Sequence, residues 1–397
     1  MVKLASKVFV QEVVIVSACR TPIGSFGGSL SSVTAPKLGA VAIRHAVKEA
    51  GLKPEHVQEV YMGNVVQAAV KQAPTKQAAL YAGLPESTPC TTINKVCASG
   101  MKSIMLAAQS LMLNHQQIMI AGGMESMSNV PFYQTRGQTP YGGIFMKDGI
   151  LEDGLLDAYN NDHMGVCAEK TVKELGITRE QQDRFAIESY EKTSTADLSR
   201  LFAAERVPVT VKGRRGEENV VEQDEEFSKI NFDKVPTLRP AFKKDGTITA
   251  GNASTLSDGA AALLLMTSEA AAQFGVQPMA KILGFADAAC APVDFSIAPS
   301  FAVPKLMHQL NLHLRDVAYW EINEAFAAVV LANIQKLKLP PELVNVHGGA
   351  VSIGHPIGMS GARLIGHLAH FMKQGEIGVA AICNGGGGAS AMAIQKL

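Results

Sequence analysis

The first clear pattern in the chain is Val13-Val14-Ile15-Val16-Ser17-Ala18, a β-branched apolar run that reads as a strand buried on both faces. From about Lys37 to Gly51 the spacing becomes helical. Leu38, Val41, Ala42 and Ala46 share one face, Ile43 and Val47 widen it, and Gly51 stands where the helix would end. Val57 to Val65 reads as the next strand. Such strand–helix alternation predicts an α/β fold with a mainly parallel core sheet.

The pattern then repeats in degenerate form. Cys97 to Leu113 is a helix-like stretch after a turn of small residues, followed by the strand Ile118-Met119-Ile120-Ala121 and a turn at Gly122-Gly123. Far downstream, His355 to Phe371 is a second such stretch, followed by a strand from Gly378 to Ile382 and by Gly385 to Gly388. Two copies packed about a pseudo-twofold axis would bring Cys97 and His355 to one centre. Between them, from about Ser126 to Thr255, polar stretches such as Lys212 to Glu226 alternate with short helical pieces such as Arg179 to Leu198. That is a poor continuation of a core sheet. The expected division is therefore 1–125 with a return segment near 256–278, an inserted region 126–255, and a second half 279–397.

Composition narrows the class. With 397 residues, 47% hydrophobic and 18% charged, the chain can bury a large core. Lys+Arg and Asp+Glu balance at 36 each, so no overall field draws it to nucleic acid or to an anionic membrane. No run approaches the roughly 20 apolar residues that span a bilayer. Met1 to Lys7 is too short to read as a targeting peptide. Cysteines at 19, 90, 97, 167, 290 and 383 show neither metal-ligand spacing nor a disulfide framework, which suits a reducing compartment.

Four separated motifs carry chemistry: Val96-Cys97-Ala98-Ser99-Gly100, Asn323-Glu324-Ala325-Phe326, Gly354-His355-Pro356 and Cys383-Asn384-Gly385-Gly386-Gly387-Gly388. A thiolate is both a good nucleophile and a good leaving group toward a thioester, and a helix N-terminus is expected to lower the pKa of Cys97. Isolated cysteines and histidines are more often inert core residues, and His45, His308 and His367 are read that way. No Gly-Lys-Ser/Thr follows Gly385 to Gly388, which argues against a nucleotide-phosphate loop.

These motifs, in this order and with Gly122-Gly123-Met124-Glu125-Ser126 between them, resemble the thiolase family in its biosynthetic, acetoacetyl-CoA-forming type, from about Glu12 to Leu397. The resemblance implies an α/β thiolase fold: duplicated βαβ core halves in an α-β-α-β-α layering, with an inserted loop domain over the CoA site. It implies reversible condensation of two acetyl-CoA to acetoacetyl-CoA and CoA. In that scheme Cys97 carries the acyl group, His355 exchanges protons with it and Cys383 is the second acid–base. Asn323 holds a water on the enolate oxygen, and the N–H groups of Cys97 and Gly385 form the oxyanion hole. Ketoacyl synthases of the superfamily typically have His or Asn where Cys383 stands.

The resemblance further places CoA against Tyr190, Lys229, Ile230, Asn231, Lys234 and Ser254, with Arg and Asp usual where Lys229 and Asn231 stand. The acyl pocket would be lined by His163, Met164, Phe295 and Phe326. A potassium ion would lie among Tyr190 and the carbonyls of Ala250, Gly251, Ala253 and Val351, as in the mitochondrial members of ketone-body and isoleucine metabolism. Those members also take 2-methylacetoacetyl-CoA, a trait tied to a Phe-Pro pair. This chain keeps Phe285-Ala286-Asp287-Ala288-Ala289 and Phe295 but has Ser296 for the proline, a freer backbone. No redox cofactor is implied. A dimer or tetramer of identical chains and a mitochondrial matrix location, with the cytoplasm as alternative, follow from the same likeness. A longer-chain 3-ketoacyl-CoA thiolase and a non-catalytic acyl-CoA carrier are the rival readings; the second would be expected to lose a thiol or the imidazole.

Overall fold

The structure is a computed structural model that describes residues 10–213 and 216–397, so the Met1–Lys7 start lies outside the described residues. The first half runs β1 (Val13–Arg20), α1 (Ala35–Glu49), β2 (Glu59–Gly63), β3 (Cys90–Ile93), α2 (Ser99–Met112) and β4 (Ile118–Ser126). The insertion contributes α3 (Met164–Leu175) and α4 (Arg179–Leu198), after which β5 (Ser257–Thr267) returns to the sheet. The second half follows as β6 (Ala280–Ala289), α5 (Pro299–Leu310), β7 (Tyr319–Ile322), α6 (Ala327–Leu337), α7 (Ser360–Phe371), β8 (Ile377–Asn384) and β9 (Gly388–Lys396).

These strands form one path, β7-β8-β9-β6-β1-β5-β4-β2-β3. The halves correspond strand for strand, β1 to β6, β5 to β9, β4 to β8 and β2 to β7. They join through a short antiparallel contact, Val14 with Lys281 and Ile15 with Ala280. The sheet is mixed rather than mainly parallel: β2 is parallel to β3 and β4, and β7 to β8, while β1·β5, β5·β4, β6·β9 and β8·β9 are antiparallel. The expectation failed for a geometric reason. Only Gly385 to Gly387 separate β8 from β9, and a parallel crossover needs a dozen or more residues.

Three apolar clusters make the layers. Ile104, Met105 and Leu111 of α2 and Leu364, Ile365 and Leu368 of α7 fill the middle, against Ile15 and Leu263 on one side and Ile282 and Ile382 on the other. Leu38 and Ile43 of α1 cover the outer face of the first half, and Leu306 of α5, Trp320 and Val330 of α6 lie on that of the second. The α-β-α-β-α order expected for two copies is thus present.

The Gly122-Gly123 pair lies inside β4 rather than in a turn. A Cβ on Gly122 would sit 2.0 Å from the Ala261 carbonyl oxygen, and one on Gly123 1.9 Å from that of Gly358. Gly122 lets β5 approach β4 closely, and Gly123 lets the α7 entry turn press onto the first half. Of the histidines read as core, His367 is buried, His45 is partly exposed beside Glu49 and His308 is exposed. Their positions on α1 and α5 fall off the apolar face.

Candidate active site

Cys97 stands just before α2 at the tip of a turn forced by Val96, which has φ 47°, a left-handed conformation that β-branched residues rarely adopt. The Asn94 side-chain oxygen accepts the Val96 N–H at 3.0 Å. The Ser99 hydroxyl accepts the Lys95 N–H at 2.8 Å and donates to the Val96 carbonyl at 2.6 Å. Two backbone N–H groups, those of Gly385 and of Cys97 itself, face the sulfur. The expected depression of the thiol pKa is not found. Burial pushes it up to about 12 and outweighs both N–H donors. A free thiol is the resting form, and it needs a base.

That base is within the same centre. Ser360 at the start of α7 donates to the Pro356 carbonyl at 3.0 Å, so its oxygen is left to accept the His355 Nδ1–H at 2.6 Å. The tautomer is thereby set with Nε2 bare, and the Asn323 amide lies 3.5 Å from that atom. Burial, with Arg363 nearby, lowers the imidazole pKa to about 4. The ring is neutral at physiological pH and able to accept a proton. Asn323 is itself buried, and its side-chain oxygen has no partner among the described residues.

Cys383 ends β8 behind Cys97, buried, its pKa raised well above the ordinary value by burial and then by the neighbouring Cys97. Cys97 and the His355 ring lie on a cavity of about 270 Å³. Cys97, His163, Met164, Ser254, Phe295, Phe326, His355 and Gly385 line it. Asn323 and Cys383 stand one layer behind.

The residues expected at the nucleotide and the cation lie elsewhere. Lys229, Asn231 and Lys234 are exposed and Ile230 is half-buried, on the segment entering the turn Phe232–Thr237. Lys229 touches the Ser25 hydroxyl and Glu226 rather than the cavity. Tyr190 of α4 is buried against Val351 and Ile230. Ser296 is fully buried in the turn Pro292–Ile297, and its carbonyl accepts the Asn333 amide at 2.8 Å.

Sequence reasoning missed Phe242, which stacks on His163 at 4.6 Å and meets Phe326 edge-on at 5.7 Å in the cavity wall. It missed Leu151, Leu155 and Ile357, which close the cavity from the other side. It also passed over Ser360, although this hydroxyl sits five residues after His355 where a helix would begin. For Phe242 no local signal existed, since its role depends on Gly165 beneath it.

The chain belongs to the thiolase family: the family description "Thiolase, N-terminal domain" matches residues 13–269 and "Thiolase, C-terminal domain" residues 276–396. Among curated proteins it is 59% identical over 394 residues to "Acetyl-CoA acetyltransferase, mitochondrial" of Rattus norvegicus, covering 99% of this chain and 93% of that one. It is 61% identical over 387 residues to the protein of that name in Xenopus tropicalis, covering 97% and 92%. Of solved structures, the Acat5 thiolase of Ascaris suum in complex with coenzyme A superposes with TM-score 0.94 at 47% identity, covering 98% of this chain and all of that one. The Bacillus anthracis acetyl-CoA acetyltransferase gives 0.96 at 40%, with the same coverage. The expected fold, enzyme class and mitochondrial kinship are met by these relatives.

Proposed function

We propose that this chain is a mitochondrial acetyl-CoA acetyltransferase that forms and cleaves acetoacetyl-CoA through an acetyl group carried on Cys97. The observation that carries the reading is that Cys97 and the His355 ring, its Nε2 bare, line one apolar cavity, with the buried Cys383 thiol beside Cys97. His355 Nε2 takes the Cys97 proton as sulfur attacks the acetyl-CoA carbonyl. The oxyanion that forms is held by the N–H groups of Cys97 and Gly385. CoA leaves with a proton from the Cys383 thiol, which becomes the thiolate, and Cys97 is acetylated while His355 keeps the proton it took.

A second acetyl-CoA then loses a methyl proton to Cys383. The enolate oxygen accepts from the Nε2–H and from a water held by Asn323, and the carbanion attacks the acetyl carbon, releasing Cys97, which takes its proton back from His355. Ser254 guides the pantetheine arm and Phe326 lines the acyl pocket, while Lys229, Ile230, Asn231 and Lys234 lie at the nucleotide end, where lysine gives charge without a bidentate fork. His163, Met164 and Phe295 shorten the acyl pocket, which favours acetyl and 2-methyl substrates over long chains.

The cation expectation has a structural basis. The carbonyl oxygens of Ala250, Gly251 and Ala253 accept no hydrogen bond among those described, and Asn252 between them donates to Asp183 on α4 at 2.8 Å. Tyr190 lies two turns further along α4, its phenol pKa raised by burial and by Glu226 and Glu324. An oxygen-rich, anion-flanked pocket beside Val351 fits potassium. Bound there, the ion would supply a fixed positive charge and brace the loop that carries Ser254.

The test is stoichiometric: mix with acetyl-CoA, quench, and map the adduct by mass spectrometry. One acetyl group on Cys97 is expected, and a protein that binds acetyl-CoA without an adduct is a carrier instead. Cys97→Ala abolishes label and turnover. Cys383→Ala keeps the label but loses condensation by at least ~10²–10⁴-fold. A series of 3-ketoacyl-CoA lengths separates the longer-chain rival.

A further inference from the structure

Asp287 lies on β6 opposite Ser390 of β9, and Ser390 follows closely on the Gly385 turn. Its carboxylate gathers three partners. Lys95 and Lys102 of the first half both bond it, Lys102 at 2.7 Å, and the Ser390 hydroxyl donates at 2.6 Å. Lys95 Nζ continues to Ser390 Oγ at 2.8 Å and to the Ala389 carbonyl at 3.2 Å. Ala389 is the cross-strand partner of Cys383. The lysine two residues before the nucleophile is thus tied to the strand pair that carries the second thiol.

Between that tie and Cys97 stands Val96 in its left-handed conformation, a state worth about 1–3 kcal/mol of strain that persists only where surroundings impose it. The Val96 side chain lies 3.5 Å from where a Gly385 Cβ would be, so the strained residue itself is the spacer between Cys97 and the Gly385 N–H. Locally the turn is braced by the Asn94 and Ser99 side chains. What holds the turn from outside is the anchored Lys95.

We propose that Asp287 is a positioning residue for acyl transfer: by clamping Lys95 and Lys102 of one half to the β6–β9 pair of the other, it sets the Cys97 sulfur against the Gly385 N–H. This rests on the reading of Cys97 as acyl carrier, and mapping the adduct on the wild-type protein separates the two claims. Without Asp287, two lysines of the first half are left side by side at the seam with no carboxylate between them, and Val96 can relax.

Single-turnover acetylation of Asp287→Ala is expected to slow ~10–100-fold, the scale of a 1 Å misplacement. CoA affinity by calorimetry should stay near wild type. Asp287→Glu should recover part of the rate, and Lys102→Met, which leaves Lys95 paired, should lose only a few-fold. A second readout is the pH profile of Cys97 alkylation by iodoacetamide. If sulfur leaves the N–H donors that favour its thiolate, the profile of Asp287→Ala shifts to higher pH. If Asp287→Ala is too unstable to assay, Lys102→Met and Asp287→Asn carry the same two measurements. Wild-type acetylation rate with an unshifted profile in folded variants overturns the clamp, even with Cys97 labelled. No label on Cys97 in the wild-type protein overturns both.

Discussion

Burial reinforces the two protonation states that matter most: Cys97 is held as the thiol and His355 as the neutral ring. Alkylation of Cys97 should therefore climb steadily from pH 6 to 9 with no plateau, because its pKa lies at about 12. A plateau near pH 7 would show a preformed thiolate–imidazolium pair. Ser360 is what aims the ring, so Ser360→Ala should slow both acetylation and condensation by ~10-fold or more, the scale of a lost buried hydrogen bond to a charged group. Rates in both half-reactions, measured separately, check it, since loss in only one would mean that His355 is oriented otherwise. At this scale the candidate reactive groups were legible, because motif order names residue types. Their electrostatics were not, because burial is set by α7 and the insertion, and the dipole argument for Cys97 lost to desolvation.

Helix α4 was legible to its ends, since Thr178 and Gln181 form a local capping box and Gly176 closes the preceding helix. The Gly122-Gly123 pair was not, because what excludes a side chain is Ala261 at Gly122 and Gly358 at Gly123, both more than 130 residues away. Gly123→Ala makes this a measurement. Its Cβ would meet a carbonyl oxygen at 1.9 Å with backbone on both sides, so neither element can yield cheaply. Stability should fall by about 3 kcal/mol or more, among the largest single-residue effects. Gly165→Ala differs, as its Cβ at 2.2 Å meets the Phe242 ring, which can swing. That variant should fold with near-normal stability and a raised KM for acetyl-CoA as the ring enters the cavity. Chemical denaturation with steady-state kinetics on both variants tests the contrast, and equal stability losses would show that the Phe242 wall is rigid.

On the scale of the whole molecule, the insertion is fastened to the central sheet by charge. Arg20 at the end of β1 reaches Glu205 at 2.6 Å and grips Asp224 through both terminal nitrogens at 2.7 and 2.9 Å. Arg206 also meets Asp224 at 3.3 Å, and His367 of α7 approaches Glu205 at 2.8 Å. All but Arg206 are almost wholly buried. Against the cost of burial, Arg20 and His367 hold Glu205 well below the usual carboxylate range, and Arg20 with Arg206 lowers Asp224. Both carboxylates add stability above their unfolded pKa values, about 4, and that stability is lost as pH falls through the depressed folded values. Arg20→Met leaves Glu205 and Asp224 buried with less compensation, so at pH 7 it should cost about 3–5 kcal/mol. Burial then raises their pKa values instead, and the variant's fold takes up protons before its unfolded chain does. The variant should gain stability between pH 7 and 5 relative to wild type, and the gap between them, read by urea denaturation at both values, should narrow. A gap unchanged with pH would mean that Arg20 acts through packing alone and that the insertion is held by its apolar contacts.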